Sequence, residues 1–86
     1  MTDREIIDLI NSSLSREFEL EPEQMVADAS IYDDLGLDSL DTVDMVIVLE
    51  KAFGFKIREE KEIREIRTLG DIHSFVIRKK RLLEAA

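Results

Sequence analysis

The chain of 86 residues is predicted to fold as an all-α, four-helix bundle with three main helices, one short third helix and a long first loop. Three observations predict this. Apolar side chains recur at helical spacing in three separate segments, each opened by a residue able to cap a helix. No segment sustains the alternation of a half-buried strand. Gly36, Gly54 and the only proline, Pro22, fall between the periodic segments.

Thr2 followed by Glu5 reads as a capping box. Ile6, Ile7, Ile10, Leu14 and Phe18 then form an apolar stripe, so the first helix is expected from Asp3 to Phe18. Asn11, Ser12 and Ser13 are mediocre helix formers suited to its wet face. Glu19 to Asp38 reads as a long connection with a turn of helix at each end, Pro22 suiting a first helical position. Connections of this length are uncommon unless functional or anchored, and Leu20, Met25, Val26, Ile31, Leu35 and Leu37 can anchor it. The second helix is expected from Ser39, capped by Asp38, to Phe53, with Gly54 as its stop. Leu40, Val43, Ile47, Glu50 and Phe53 mark one line on it. Met45, Val46, Val48 and Leu49 spread around the axis, and a helix so broadly apolar is buried on several sides or meets partners on one. Phe55, Lys56 and Ile57 alternate, but three residues do not make a sheet. Glu59 to Arg67 is charge-dense and suits a short third helix packed by Ile63 and Ile66. Thr68, with Asp71 three residues on, opens a fourth helix from Leu69 to Leu83, whose stripe is Leu69, Ile72, Phe75, Val76, Leu82 and Leu83. With no internal repeat or low-complexity tract, residues 1–86 read as one domain.

Composition narrows the chemistry. The chain has no cysteine, so it can build neither a disulfide framework nor a thiolate metal site, and any thiol must arrive on a prosthetic group. No apolar run approaches the roughly 18–20 residues of a membrane span, and no signal-like block opens the chain, which predicts a soluble, cytoplasmic protein without membrane insertion. The net charge of −8 is unevenly placed. Residues 1–50 carry fourteen acidic and two basic side chains, whereas residues 51–86 carry six acidic and ten basic ones. An acidic face argues against nucleic acid as a partner and for basic protein surfaces, reached faster by electrostatic steering.

The densest signal is Asp33-Asp34-Leu35-Gly36-Leu37-Asp38-Ser39-Leu40-Asp41-Thr42-Val43-Asp44-Met45. Asp38 and Asp41 stand three apart, so one carboxylate can accept from early backbone N–H groups while the other favours the first turn. Ser39 then presents a hydroxyl at a helix N-terminus, where unpaired N–H groups and the positive dipole end favour an anion such as phosphate.

At these residues the chain resembles an acyl carrier protein. Asp38-Ser39-Leu40 matches the family's attachment motif, and Asp34-Leu35-Gly36 and Asp41-Thr42-Val43-Asp44 extend the match on both sides. The resemblance implies that Ser39, flanked by Asp38 and Leu40, carries a covalent 4′-phosphopantetheine derived from coenzyme A. The thiol of that arm would hold acyl groups as thioesters for fatty-acid or related lipid or polyketide synthesis, and the chain would catalyse nothing itself. A tether of this kind delivers one substrate to several enzymes by effective concentration. The implied partners are a phosphopantetheinyl transferase and acyltransferases, ketosynthases and other acyl-processing enzymes with basic patches, met by a monomer through Asp34, Asp38, Asp41, Asp44, Met45, Val48 and Glu50. Family members can shelter the acyl chain between helices, and Val43, Ile47, Phe53, Ile57, Ile66 and Leu69 are the residues expected to border such a space, although they equally suit an ordinary core.

Departures from the bacterial housekeeping pattern point to an alternative, a carrier dedicated to a specialised pathway. Lys51-Ala52 stands where such carriers continue acidic, Arg58 where proline is common, and the third-helix region is one residue longer. Leu37-Asp38 before Ser39 argues against a peptidyl carrier. Outside carriers, a small acidic regulatory helical bundle is the competing reading. A calcium loop fails, because setting Gly36 at the sixth position puts Ile31 first and Thr42 twelfth. No metal ligand set is expected. A serine hydrolase fails as well, because no glycine follows Ser39 to form a nucleophile elbow, and the only histidine, His73, reads as a surface residue. Arg78-Lys79-Lys80-Arg81 reads as a solvated face suited to the end of a helix.

Overall fold

The computed structural model describes residues 1–56 and 60–85. Four helices follow in order: α1 (Asp3–Phe18), α2 (Ser39–Phe53), α3 (Glu60–Glu65) and α4 (Leu69–Ala85). A single 3₁₀ turn, Pro22–Gln24, interrupts the first loop, and no helical turn forms at the loop's other end. Among the described residues there is no strand, only one isolated antiparallel bridge between Ser30 and Thr68. None of the helices is long and apolar enough to cross a membrane.

Local chemistry explains each helix start. At α1 the Thr2 N–H donates to Glu5 Oε1 at 2.8 Å and the Glu5 N–H donates to Thr2 Oγ1 at 3.2 Å. Hydrogen bonding to the Thr2 backbone N–H first, and to the Thr2 side chain second, holds the Glu5 carboxyl below its ordinary pKa. Asp38 and Asp41 close the same reciprocal box at α2, with distances of 2.9 and 3.0 Å. At α4, Asp71 accepts from the N–H groups of Arg67 and Thr68, and its own N–H donates to Thr68 Oγ1. Gly54 ends α2 in the left-handed region, at φ 77°, where its N–H donates to the Glu50 carbonyl.

α1 packs against both α2 and α4. Ile6, Ile10 and Leu14 of α1, Met45, Val46 and Leu49 of α2, and Leu69, Ile72, Phe75 and Val76 of α4 form the core, which Ile63 and Ile66 extend from the α3 region. Three expectations are overturned here. Ser13 is buried and not on the wet face, because it follows Ile10 by three residues and Ile6 by seven along the covered stripe. His73 is 7 % exposed, and its Nε2 donates to Asn11 Oδ1 of α1 at 2.7 Å. It shares the stripe of Leu69, Ile72 and Val76, and burial pushes its pKa down. Leu82 and Leu83 are exposed, since α4 runs antiparallel to α1 and Arg81 already reaches Asp3, the first residue of α1. The basic run is engaged with carboxylates: Arg78 and Lys79 with Glu62, Lys80 with Glu84, and Arg81 with Asp3 and Glu84. Surface pairs of this kind are each worth about 0–1 kcal/mol, so they orient α3 and α4 more than they stabilise them.

The long loop is anchored twice. Leu20, Met25, Ala29, Ile31 and Leu35 are buried and Leu37 is half-buried, whereas Val26 is exposed and anchors nothing. Main-chain bonds supply the second anchor. The Ile31 N–H donates to the Arg67 carbonyl, the Leu69 N–H to Ala29 and the Gly70 N–H to Ala27. The loop is thereby tied to the segment joining α3 to α4.

Gly70 makes this tie possible, because a Cβ there would lie 2.8 Å from the Ala27 carbonyl oxygen. Gly70→Ala gains at most about 1 kcal/mol of helix propensity, in the first turn where propensity counts least. The clash with an immobile carbonyl costs about 1–3 kcal/mol. Thermal unfolding followed by circular dichroism should show a net loss, with the midpoint lower by several degrees. An unchanged or raised midpoint would show that the loop yields there without cost.

Candidate functional site

Ser39 is the first residue of α2 and is exposed. The Asp38–Asp41 box satisfies the N-cap N–H and that of Asp41, and the Thr42 N–H reaches the Asp38 carbonyl at 3.1 Å. The N–H groups of Ser39 and Leu40 are left without an intrahelical acceptor, at the positive end of the helix dipole. An exposed hydroxyl therefore stands beside two unengaged donors. That arrangement suits an anion bonded to the hydroxyl oxygen.

The burial pattern of α2 decides which residues surround Ser39. Thr42, Met45, Val46 and Leu49 face the core, whereas Leu40 is 75 % exposed and Val43 also lies at the surface. The line of Leu40, Val43 and Ile47 is thus the outer side of the helix, opposite to a core-facing role. Asp34, Asp38 and Asp44 are exposed and Asp41 is half-buried, so the acidic residues do surround the serine. Asp34 also shapes the loop, accepting from the Ser30 N–H at 2.7 Å. Met45, expected on the partner face, is 0 % exposed, because it lies on the stripe that meets the core. Val48 and Glu50 are half-buried.

A cleft of about 550 Å³ opens beside Ser39. Ser39, Leu40, Thr42 and Val43 of α2 form one wall, Ile63 and Arg64 of α3 the other, and Tyr32 enters from the loop. Of the six residues expected around an acyl space, Val43 lies in this wall. Ile66 and Leu69 are packed into the core, Ile47 and Phe53 are half-buried away from the cleft, and Ile57 lies outside the described residues. Thr42 could have been named from the sequence, since it stands one helical turn below Ser39. Ile63 and Arg64 come from a distant segment and Tyr32 from the irregular loop before α2, and no local pattern marks them.

Comparison with known proteins agrees with this geometry. Residues 8–76 match the family described as phosphopantetheine attachment site. The chain is 36 % identical over 72 residues to acyl carrier protein 2 of Ralstonia nicotianae, covering 84 % of this chain and 88 % of the relative. It is 37 % identical over 75 residues to the acyl carrier protein of Thermotoga maritima, covering 87 % and 91 %. Against the acyl carrier protein of Prochlorococcus marinus it is 38 % identical over 80 residues, covering 93 % and 99 %. With an exposed serine opening a capped helix and a match along most of its length, the chain belongs to the phosphopantetheine-attachment family of acyl carrier proteins.

Proposed function

We propose that Ser39 carries the 4′-phosphopantetheine that the family implies, and that the whole chain works as one monomeric carrier domain in the cytoplasm. The observation that carries this reading is the exposed Ser39 hydroxyl at the capped start of α2, at the mouth of a largely apolar cleft. The residues fit the group. Ser39 Oγ would supply the bonding oxygen, the first-turn N–H groups of Ser39 and Leu40, which have no intrahelical acceptor, would favour its negative charge, and Asp38 with Asp41 holds the helix start in place. Once bound, the arm supplies a thiol that holds acyl groups as thioesters; the protein contributes position and recognition and no catalytic group.

Recognition falls to the acidic residues around Ser39. Asp34, Asp38, Asp41 and Asp44 meet a phosphopantetheinyl transferase and acyltransferases, ketosynthases and other acyl-processing enzymes through basic patches on those enzymes, and the same charge disfavours nucleic acid. Leu40 and Val43 add an apolar centre to that face, while Glu50 and Val48 lie at its margin. Shelter for an acyl chain is assigned to the cleft of Tyr32, Leu40, Thr42, Val43 and Ile63. The supported setting is fatty-acid synthesis or a related lipid or polyketide route. A specialised route is favoured by one observation, the exposed Lys51 and Ala52 on the last turn of α2, which would meet a basic partner as a like charge or as no charge.

Three measurements test these readings. Incubation with coenzyme A and a broad-specificity transferase should add one phosphopantetheine by intact mass, and Ser39→Ala should abolish it. Asp44→Lys changes a surface charge outside the helix cap, so it should keep the fold yet lower loading kcat/KM about tenfold at low salt, with the gap closing as salt rises. Persistence of the adduct in Ser39→Ala, or loading of Asp44→Lys at the wild-type rate, overturns the corresponding assignment. For the specialised route, a housekeeping ketosynthase should turn over acylated Lys51→Glu faster than wild type; equal and efficient turnover would make Lys51 ordinary surface.

A further inference from the structure

Among the described residues, the cleft beside Ser39 is lined by one charged side chain, Arg64. Several other described cations of α4 and of the segment before it are engaged. Arg78 and Lys79 bind Glu62, Lys80 and Arg81 bind Glu84, and the Arg67 guanidinium donates to the carbonyls of Arg64 and Ile66. Arg64 is exposed, stands on the wall facing Ser39 and pairs with no carboxylate among the described residues. An arginine is costly to place against apolar neighbours such as Val43 and Ile63 unless its charge is used or solvated. Its planar fork suits two-point contact with a carboxylate or phosphate oxygen pair. Opposite it, Ser39 is flanked by the Asp38 and Asp41 carboxylates, so a further anion on Ser39 gains from a cation reaching across the cleft.

We propose that Arg64 pairs across this cleft with an anionic group carried on Ser39. The inference rests on Ser39 being the attachment residue. Two sources can supply the anion: the phosphodiester at Ser39 itself, or the terminal carboxylate of an acyl group folded back into the cleft. A phosphodiester on Ser39 would be held at the residue that lines the cleft, whatever the load. A carboxylate-ended acyl group would make Arg64 selective for its load.

The full-length protein is prepared in apo form and loaded with the bare arm, a butyryl arm and a succinyl arm, each verified by intact mass. The Arg64 Nε–H resonance is followed by NMR, and melting temperatures are compared for wild type, Arg64→Gln and Arg64→Lys in each form. The expected result is that the Arg64 resonance moves on loading. Arg64→Gln should lose roughly half or more of the loading-dependent rise in melting temperature, and Arg64→Lys should recover part of it. A response already present with the bare arm assigns the phosphodiester; a response confined to the succinyl arm assigns the acyl carboxylate. An Arg64 resonance unmoved in all loaded forms, with equal loading-dependent shifts for wild type and Arg64→Gln, overturns the proposal. Failure to form any adduct is seen separately in the mass spectra and removes the Ser39 reading itself.

Discussion

The packing of Met45, Val46 and Leu49 of α2 against α1 is the constraint on which the rest depends. Burying each of these side chains is worth about 1.5–3 kcal/mol, far more than any surface ion pair here. Once that stripe is committed to the core, the rotation of α2 about its axis has no freedom left. Ser39, Leu40 and Val43 must face outward, and Asp44 with them. The proposed functional face is thus the side of α2 left over after the core has taken its share.

Position along the axis has a separate cause. The Asp38–Asp41 box starts α2 at Ser39, and Gly54 stops it. Asp38 and Asp41 consequently do two things at once: they hold the helix end and they contribute negative charge beside the hydroxyl. Asp44 contributes charge alone. The facing wall depends on longer-range ties, namely the main-chain bonds from Ala27, Ala29 and Ile31 to residues 67–70 and the attachment of Glu62 to α4. These bring Ile63 and Arg64 beside Tyr32 and within reach of a serine far from them in sequence.

Helix boundaries were legible because capping is local chemistry. Thr2 with Glu5, Asp38 with Asp41 and Thr68 with Asp71 each announce a start within four residues. Expected and observed limits coincide for α1 and α2; α3 is observed over Glu60–Glu65, with Glu59 outside the described residues, and α4 runs two residues past Leu83. The rotation of α2 was not legible, because apolar residues surround its axis and spacing alone cannot say which line is covered; hence Met45 moved from partner face to core. His73 and Ser13 were misplaced for a related reason, since residue type outweighed stripe position when both polar side chains sat on the buried side. The cleft was the least legible part. Its two walls come from segments about twenty residues apart, which only tertiary packing brings together.

Core packing leaves one face of α2, carrying Ser39, Leu40, Val43 and Asp44, exposed for the proposed meeting with partner enzymes, while Met45 and Leu49 are kept out of reach. NMR titration of isotope-labelled protein with a phosphopantetheinyl transferase tests this most directly. Signals of Leu40, Val43 and Asp44 should shift or broaden first, with those of Met45 and Leu49 little affected. Perturbation centred on the face opposite Ser39, or shared equally by both sides of α2, would contradict it.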